Sequence, residues 1–554
     1  MLRSIVNLFK DDSMQIVIPM SGFGERFLKA GYSIPKPLIV IDGKTIIQHV
    51  IEMFPGENDI TFICNKDHLN DKKYRMDEIL RAIAPKSKIV PINPHKLGPV
   101  HAVLQAIDFL DLKKPTIVNY ADFTCDWNYI DFCNVVQQTE CDGAIPCYRG
   151  FHPHTLWSNY YAYVIENEMH ALDIQEKKPF TDSPIDEFAS SGTYYFKSAN
   201  LMQQYFERCV SEDLTVGDEY YVSMAYKPMI QDGLNIQVYE LEHFMQWGTP
   251  SDLKEYCYWS KTFRSMLNKQ EIPRQSGALI LPMVGSGSRF QKEGYKTPKP
   301  LIQVSGNPMA VQALKYLPKA ERHKFVLLKD LLGINDLIAA LQKDSIAPEF
   351  ALLDYMTDGQ ASTCVEGAKG LEIDKPVTIA ACDNGMIYDI NLFQSLMDSD
   401  DIDVIVWGAR GYPGAIRTPE MYGWIDADET GVIQNVSVKK ALSDPEKDPI
   451  IAGTFTFKKL GNFIKCVEQM KERGALINNE YYVDMAINDA IALNLRCVLF
   501  EIDSYICWGT PNDLKTFEYW QSCFNEWDYH PCLLYTSDAA DDLLCVDLGG
   551  RRII

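Results

Sequence analysis

The chain is 554 residues long, which exceeds the size that one hydrophobic core usually supports and predicts two to four domains. Hydrophobic residues make up 46% and charged residues 23%, a balance that excludes a disordered or fibrous protein. The formal net charge of −22 excludes nucleic acid and anionic membrane surfaces as main partners, and no apolar run approaches the roughly 20 residues of a membrane-spanning helix.

The first residues, 1–13, carry no motif, and we interpret them as an extension or a misassigned start. Residues 1–9 are too short and too lightly charged for a secretory signal. We therefore expect a cytoplasmic protein.

Strand-like and helix-like segments alternate along the first half of the chain. Runs rich in β-formers are predicted at residues 15–19, 59–64, 88–92 and 116–120, and helical patterns at residues 45–54 and 100–110. This alternation predicts a mostly parallel sheet flanked by helices, with ligands beyond the carboxyl ends of the strands.

A glycine-containing turn follows the first strand, with the sequence Gly22-Phe-Gly-Glu-Arg-Phe27. Gly22 and Gly24 let backbone N–H groups approach an anion, which is typical of a phosphate-binding loop. The turn has neither the third glycine of a dinucleotide-binding fingerprint nor the Gly-Lys-Ser/Thr of a Walker loop. Taken alone, it fits an ordinary turn equally well.

Two cations accompany this turn: Arg26 within it, and Lys36 between Pro35 and Pro37. Proline restrains the backbone around the lysine, which suits a preorganised cation that faces a fixed anion. The alternative is a pair of solvated surface cations.

A carboxylate, Asp122, comes just after the apolar strand at residues 116–120. A carboxylate at a strand end is suited to Mg²⁺ that bridges phosphate oxygens. A turn or a helix cap is the alternative explanation.

These motifs recur in the same order in the second half of the chain. Residues 19–27 match 282–290 and residues 31–39 match 294–302 (282 − 19 = 294 − 31 = 263), and three later blocks share an offset of 261: 192–197 with 453–458, 219–222 with 480–483, and 247–253 with 508–514. The repeat therefore has the length of a whole domain. The repeated candidates are Gly285, Gly287, Arg289, Lys299, Gly359 and Asp383.

The repeat predicts two domains, at residues 14–262 and 277–531, joined by a polar linker at 263–276. The tail at 532–554 resembles translated sequencing-adapter sequence, and we interpret it as non-native.

The combination of Gly-x-Gly-x-Arg with Pro-Lys-Pro-Leu resembles the signature of sugar-1-phosphate nucleotidylyltransferases, the sugar-nucleotide pyrophosphorylases. The resemblance covers about residues 14–258 and again about 277–520. It implies two tandem GT-A-like α/β domains, each a mostly parallel sheet flanked by helices.

The resemblance also implies roles for individual residues. The glycine loop with Arg26 or Arg289 would hold the triphosphate, Lys36 or Lys299 would stabilise departing pyrophosphate, and Asp122 or Asp383 would bind Mg²⁺. Gly98 and Gly359 fall in a segment that contacts the base in the family. Glu176 would contact sugar hydroxyls and Lys177 the sugar phosphate.

Further candidates for the acceptor site are Gly192, Glu219, Lys439 and Glu480, although the aromatic residues beside the two glutamates fit core packing as well. In the second copy Val438 stands where Glu176 is in the first, so the lysine remains and the carboxylate is lost. A second metal-binding Asp of many relatives is replaced by Gln246 and Cys507, and the nearby Asp252 and Asp513 fit helix caps at least as well.

The function expected from this resemblance is transfer of a nucleotidyl group from a nucleoside triphosphate to a sugar or alcohol phosphate, with Mg²⁺ as cofactor and pyrophosphate as the second product. Two alternatives stay open: a non-catalytic sensor of sugar nucleotides, favoured by the loss of the carboxylate at Val438, and a GT-A-like glycosyltransferase that uses Asp122 for its metal.

Overall fold

The computed structural model describes residues 14–157, 160–267 and 272–526. The extension predicted at 1–13 and the tail predicted at 532–554 lie outside the described residues. The chain divides into two compact units, the first ending at Cys257 and the second beginning at Tyr258.

The strands of the first unit follow the predicted positions closely and include additional short ones. They are β1 (Gln15–Met20), β2 (Val40–Ile41), β3 (Lys44–Thr45), β4 (Asp59–Asn65), β5 (Lys88–Ile92), β6 (Thr116–Asn119), β7 (Phe123–Asp126), β8 (Gly143–Tyr148), β9 (Ala162–Asn167), β10 (His170–Glu176), β11 (Phe188–Ser190), β12 (Thr193–Phe196), β13 (Ile236–Glu240) and β14 (His243–Gln246).

The helices of the first unit begin directly after many of these strands. They are α1 (Glu25–Lys29), α2 (Ile46–Glu52), α3 (Lys66–Asn70), α4 (Met76–Ile83), α5 (Pro99–Gln105), α6 (Tyr129–Thr139), α7 (Ala199–Ser211), α8 (Ser223–Gln231) and α9 (Pro250–Met266), the last of which crosses the division between the units.

The second unit repeats this succession. Its strands are β15 (Arg274–Met283), β16 (Gln303–Val304), β17 (Asn307–Pro308), β18 (Lys319–Leu328), β19 (Pro348–Leu353), β20 (Val377–Ala380), β21 (Asn384–Ile387), β22 (Val404–Ala409), β23 (Gly423–Ala427), β24 (Ile433–Val438), β25 (Ile450–Phe457), β26 (Cys497–Glu501) and β27 (Ser504–Cys507). Its helices are α10 (Ser288–Lys292), α11 (Met309–Leu314), α12 (Ile334–Asp344), α13 (Gln360–Ala368), α14 (Ile390–Asp398), α15 (Pro413–Arg417), α16 (Leu460–Glu472), α17 (Val483–Ala492) and α18 (Pro511–Glu526).

The main sheet of the first unit contains seven strands in the order β5-β4-β1-β6-β12-β8-β13. All neighbours in this series are parallel except β12, which is antiparallel to both β6 and β8. Beyond β13 the strands β10, β9 and β11 continue the sheet with antiparallel pairing. The complete sheet is therefore mixed, whereas the alternation predicted a mostly parallel one. The difference arises because a tight turn joins β9 to β10, and a tight turn forces antiparallel pairing.

The second unit has the same order of strands, β19-β18-β15-β20-β25-β22-β26. Its pairings are also parallel except around one strand, β25, which is antiparallel to β20 and β22. This series is mostly parallel, as predicted, and β23 and β24 join the sheet beside β25 with antiparallel pairing. Equivalent strands carry the repeated motifs in both units.

In each unit the apolar side chains of the strands and flanking helices form a buried core. Val17, Ile63, Val118 and Ile145 belong to it in the first unit. Because β12 runs against β6, its amino end lies beside the carboxyl end of β6, and the Tyr120 N–H donates to the carbonyl of Gly192 at 3.0 Å. The turn after β1, Asp122 after β6 and Gly192 before β12 thus share one edge of the sheet.

The predicted linker at residues 263–276 includes the end of α9 and the start of β15, and residues 268–271 lie outside the described residues. Within the second unit, the Tyr258 hydroxyl donates to the Tyr505 carbonyl at 2.7 Å, and Phe263 stacks on Phe517. The division between the units at Cys257 therefore precedes the predicted end of the first copy at residue 262.

Across the three described ranges, none of the helices combines the length and apolar character that crossing a membrane requires.

Candidate active site

The first unit contains a cleft of about 570 Å³ at the edge of its sheet. Every candidate that the sequence placed in the first copy lines it: Gly22, Gly24, Arg26, Lys36, Gly98, Asp122, Glu176, Lys177, Gly192 and Glu219. They come from segments up to almost 200 residues apart, so the fold brings the predicted set together in one place.

The glycine turn forms one wall of the cleft. It joins the buried strand β1 to the short helix α1, with Gly24 as the residue that precedes the helix. Arg26 lies in the first turn of α1, and its guanidinium carbon is 5.7 Å from the centre of the Tyr160 ring. The cation is thus held at the cleft by the turn and by an aromatic neighbour.

Lys36 and Asp122 meet across the cleft, as an ion pair. Lys36 Nζ donates to Asp122 Oδ2 at 2.7 Å, with side chains 22% and 30% exposed. Lys36 begins a single 3₁₀ turn that Pro35 precedes and Pro37 continues, which fixes the backbone from which the lysine extends. The sequence predicted each residue separately but not their contact.

Gly98 precedes α5 at a point where two backbone segments nearly touch. Its φ is 87° and ψ 178°, a conformation essentially restricted to glycine. A Cβ here would lie 2.8 Å from both N and O of Tyr220. The Tyr220 N–H donates to the Leu97 carbonyl, and the Val100 N–H donates to the Tyr220 carbonyl. Gly98 thus allows the segment that carries Glu219 to dock beside α5.

A hydrogen-bonded group of polar side chains forms the opposite wall. The Ser223 hydroxyl donates to Glu176 Oε2 at 2.6 Å, and Lys177 Nζ donates to the Tyr221 hydroxyl at 2.5 Å. The Tyr221 hydroxyl in turn donates to Glu219. Burial raises the pKa of Glu176, while the Ser223 hydrogen bond and Lys177 oppose that rise. A carboxylate and a cation next to each other suit a ligand that carries both hydroxyl groups and a phosphate.

The late Trp-Gly-Thr block closes the cleft below Asp122. The Trp247 N–H donates to the Asp122 carbonyl at 2.9 Å. Thr249 Oγ1 accepts from the Asp252 N–H at 3.2 Å, which caps the start of α9, and donates to Asp252 Oδ2 at 2.6 Å. Burial raises the pKa of Asp252 to about 6. Asp252 thus takes part in the hydrogen bonds of the cap at Thr249 and also lines the cleft.

Several residues of the cleft were not found from the sequence. His68, His95, Lys96, Tyr161 and Phe244 also line it. Lys96 pairs with Glu25 of α1, so it joins the Gly98 segment to the glycine turn. His95 and Lys96 could have been predicted from their position just before Gly98. His68, Tyr161 and Phe244 lie in segments that carry no motif.

The second unit brings its equivalent residues together in the same pattern. Lys299 Nζ donates to Asp383 Oδ2 and, at 3.2 Å, to the Gly509 carbonyl. Gly285 lies in the turn after β15, and Gly287 precedes α10, the helix that carries Arg289.

Gly359 repeats the close approach seen at Gly98. Its φ is 133° and ψ 176°, and a Cβ would lie 2.4 Å from the Tyr481 nitrogen. The Ala361 N–H donates to the Tyr481 carbonyl. The segment of Glu480 thus docks beside α13.

Lys439 occupies the position that Lys177 has in the first unit. Lys177 and Lys439 both have positive φ, 59° and 58°. Their N–H groups donate to Tyr161 and Tyr422 carbonyls at 2.8 and 2.9 Å. Burial and the charge of Arg289 lower the pKa of Lys439, whereas Asp484 and Glu480 raise it.

The side chains around Asp122 are suitable ligands for a magnesium ion. Within the described ranges, no group of three or more His, Cys, Asp or Glu side chains could hold a metal without further ligands. Mg²⁺ is usually bound by one or two carboxylates together with substrate phosphates and water. One carboxylate at a cleft lined by cations and a glycine turn is such a donor set.

Residues 16–232 match the model of the nucleotidyl transferase family. The first unit therefore contains a nucleotidyl transferase family domain, and the match ends before the second unit begins.

Among curated proteins, the chain is 32% identical over 109 residues to the bifunctional protein GlmU of Ralstonia pickettii and 31% identical over 109 residues to that of Paraburkholderia phymatum. These matches cover 20% of this chain and 22% of the relatives, so the chain spans about a fifth of the length of the curated relatives it matches.

Solved structures also show similarity. A nucleoside-diphosphate-sugar pyrophosphorylase from Vibrio cholerae has a TM-score of 0.37 at 20% identity, covering 44% of this chain and 99% of that one. The inositol-1-phosphate CTP transferase from T. maritima has a TM-score of 0.36 at 15% identity, covering 45% and 96%.

Proposed function

We propose that the first unit transfers a nucleotidyl group from a nucleoside triphosphate to a sugar phosphate, or a related alcohol phosphate, and releases pyrophosphate. The observation that supports this most directly is the cleft that collects Arg26, Lys36, Asp122, Glu176 and Lys177. The nucleotidyl transferase domain at residues 16–232 supports the donor half of the reaction. The Glu176 and Lys177 wall supports the acceptor half.

In this mechanism, the glycine turn and Arg26 bind the triphosphate, and Lys36 neutralises charge that develops on the departing pyrophosphate. Lys177 holds the acceptor phosphate, and Glu176 accepts a hydrogen bond from an acceptor hydroxyl. A phosphate oxygen of the acceptor attacks the α-phosphorus in line, a new P–O bond forms, and the bond to the bridging oxygen of pyrophosphate breaks. The acceptor phosphate is already anionic near neutral pH, so no residue needs to remove a proton from it.

Asp122 would hold Mg²⁺ in this site, where the ion would supply charge neutralisation for the phosphate oxygens. Asp122 is positioned for this by the end of β6 and by the hydrogen bond that its carbonyl accepts from Trp247.

We further propose that the second unit is a second copy of this domain, with the GT-A-like fold that the resemblance implies. The same strand order, the same single antiparallel strand within it and the paired Lys299 and Asp383 support this proposal.

The test is pyrophosphate release by the full-length protein with Mg²⁺, each nucleoside triphosphate in turn, and a set of sugar and alcohol phosphates. For the pair that reacts, we expect Lys36→Ala to lower the rate about a hundredfold, because one preorganised cation is removed from the transition state.

Lys299→Ala is the matched control, since it removes the equivalent ion pair from the second unit. We expect it to leave the rate with the same substrates unchanged. Loss of release in Lys299→Ala alone would move the reaction to the second unit, and undiminished release in Lys36→Ala would refute the role of that lysine.

A further inference from the structure

The second unit differs from the first at one point of the acceptor wall, where Val438 replaces Glu176. The pairing of the strands makes this equivalence a structural one. Glu176 of β10 lies opposite Ala162 of β9, and Val438 of β24 lies opposite Gly423 of β23. The carboxylate of the first unit therefore has no counterpart on the same strand.

A second difference lies directly beside it. Ser223, whose hydroxyl donates to Glu176 at 2.6 Å in the first unit, is replaced by Asp484 in the second. The flanking sequences, Val222-Ser-Met-Ala225 and Val483-Asp-Met-Ala486, keep the register unbroken. A carboxylate is thus lost from the strand and gained on the adjoining helix.

A third difference makes room for the new carboxylate. Where the first unit has Ala162, the second has Gly423, and a Cβ on Gly423 would lie 2.5 Å from Asp484 Oδ2. An alanine there would collide with the Asp484 carboxylate. The three positions therefore form a matched set: Glu, Ser and Ala in the first unit, and Val, Asp and Gly in the second.

The surroundings of Asp484 carry the charges of an acceptor site. Lys439 Nζ lies 5.6 Å from the centre of the Tyr482 ring, as Lys177 lies against Tyr221 in the first unit. The charges of Arg289, Glu480 and Asp484 all act on the pKa of Lys439, Arg289 lowering it and the two carboxylates raising it.

We infer that the second unit has an acceptor site of its own, in which Asp484 on α17 replaces Glu176 as the carboxylate that accepts hydrogen bonds from ligand hydroxyls. The site would take a polyhydroxylated phosphate ester, free or as part of a nucleoside diphosphate sugar. This inference rests on the proposal that the second unit is a copy of the nucleotidyl transferase domain.

Burial raises the pKa of Asp484 to about 6, and Lys439 opposes this rise. In its ionised form, Asp484 would act as a hydrogen-bond acceptor.

The test is a calorimetric titration of the full-length chain with the first unit inactivated by Lys36→Ala and Glu176→Ala. The probes are UDP-glucose, dTDP-glucose, ADP-glucose, GDP-mannose and CDP-glycerol, each compared with its nucleoside diphosphate alone. We expect at least one complete probe to bind, and Asp484→Ser to weaken that binding about tenfold or more, because a charged acceptor of a ligand hydroxyl is removed.

The nucleoside diphosphate without its sugar or alcohol is the control that separates ligand contact from structural damage. We expect Asp484→Ser to leave its affinity within about twofold. Placing the first unit's set in the second, with Gly423→Ala, Val438→Glu and Asp484→Ser together, should restore affinity for the complete probe.

Three outcomes would overturn the inference: no probe binding to the protein with an inactivated first unit, equal affinity in Asp484→Ser, or equal loss for the probe and its nucleoside diphosphate. None of these depends on pyrophosphate release by the first unit, so a failure here is distinguishable from a failure of the proposed reaction.

Discussion

The contact between Lys36 and Asp122 shows what the repeated motifs do at the scale of single residues. A lysine fixed between two prolines meets a carboxylate at a strand end, and Lys299 and Asp383 repeat this contact in the second unit. Each partner lowers the cost of holding the other at a partly buried position. The lysine and the carboxylate are therefore both preorganised where phosphate charge would arrive.

Gly98 holds a close backbone contact on which the site depends. We expect Gly98→Ala to lower the free energy of unfolding by more than about 2 kcal/mol and to reduce pyrophosphate release, because the new Cβ would overlap the Tyr220 backbone. Urea unfolding and the release assay measure the two effects.

Gly31→Ala is the control for the Gly98 variant. Gly31 also has a positive φ, 88°, but no atom lies within 4 Å of the position that a Cβ would take. We expect it to cost about 1 kcal/mol of stability from backbone strain alone and to leave release intact. Equal effects of the two substitutions would contradict the assigned contact.

At the scale of elements, strands β18 and β19 are joined by a polar cluster as well as by their backbone pairing. Arg322 makes two hydrogen bonds to Glu349, at 2.6 and 3.0 Å, and Lys324 Nζ donates to the same carboxylate at 2.8 Å. These two cations lower the pKa of Glu349 to about 2. The cluster holds the edge strand β19 to its neighbour.

The lowered pKa predicts a pH-dependent contribution to stability. The pKa of a glutamate in the unfolded chain is about 4.3, so ionised Glu349 stabilises the fold at pH values above about 4.3. This contribution is lost as the pH falls toward about 2, the pKa of Glu349 in the folded protein. We expect Glu349→Gln to lower the free energy of unfolding by about 1 kcal/mol at pH 7, a modest value because the side chain is 36% exposed.

The measurement is urea unfolding of wild type and Glu349→Gln at pH 7 and at pH 3.5, where the difference should shrink. Replacement of the exposed Glu468 of α16 by Gln is the control and should change stability little at either pH. A difference that stayed constant between the two pH values would show that Glu349 stabilises the sheet by packing and not by charge.

At the scale of the whole molecule, the order of the strands explains why the predicted residues of the first copy line one cleft. Because parallel strands end at one edge, residues after β1 and β6 could be expected to meet, and the cleft collects them. Asp484 could not be recognised as a replacement for the carboxylate lost at Val438, because positions 438 and 484 are far apart in the sequence and come together only where α17 packs on β24.

The polar composition of residues 263–276 predicted a linker where the last turn of α9 lies. Trp259 and Phe263 are 1% and 7% exposed, and their spacing of four residues places them on one face of the helix. The predicted linker began at Phe263, but the buried face that Trp259 and Phe263 share belongs to the second unit.

This arrangement predicts where the second unit begins as a folding unit. We expect a fragment that starts at Tyr258 and ends at residue 531 to be more stable than one that starts at Leu267. The shorter fragment loses Trp259 and Phe263 from the core, and each buried aromatic side chain contributes about 1.5–3 kcal/mol. It also loses the Tyr258 hydroxyl, which donates to the Tyr505 carbonyl and accepts from the Tyr505 N–H.

Urea unfolding of the two purified fragments, followed by far-UV circular dichroism, tests this boundary. We expect the midpoint of the shorter fragment to fall by about 1 M urea or more. Restoring the nine helical residues with Trp259 and Phe263 both changed to Ala should recover little of the difference, because the loss is assigned to those side chains. Equal midpoints for the two original fragments would instead place the start of the second unit after α9, as the composition of the segment suggested.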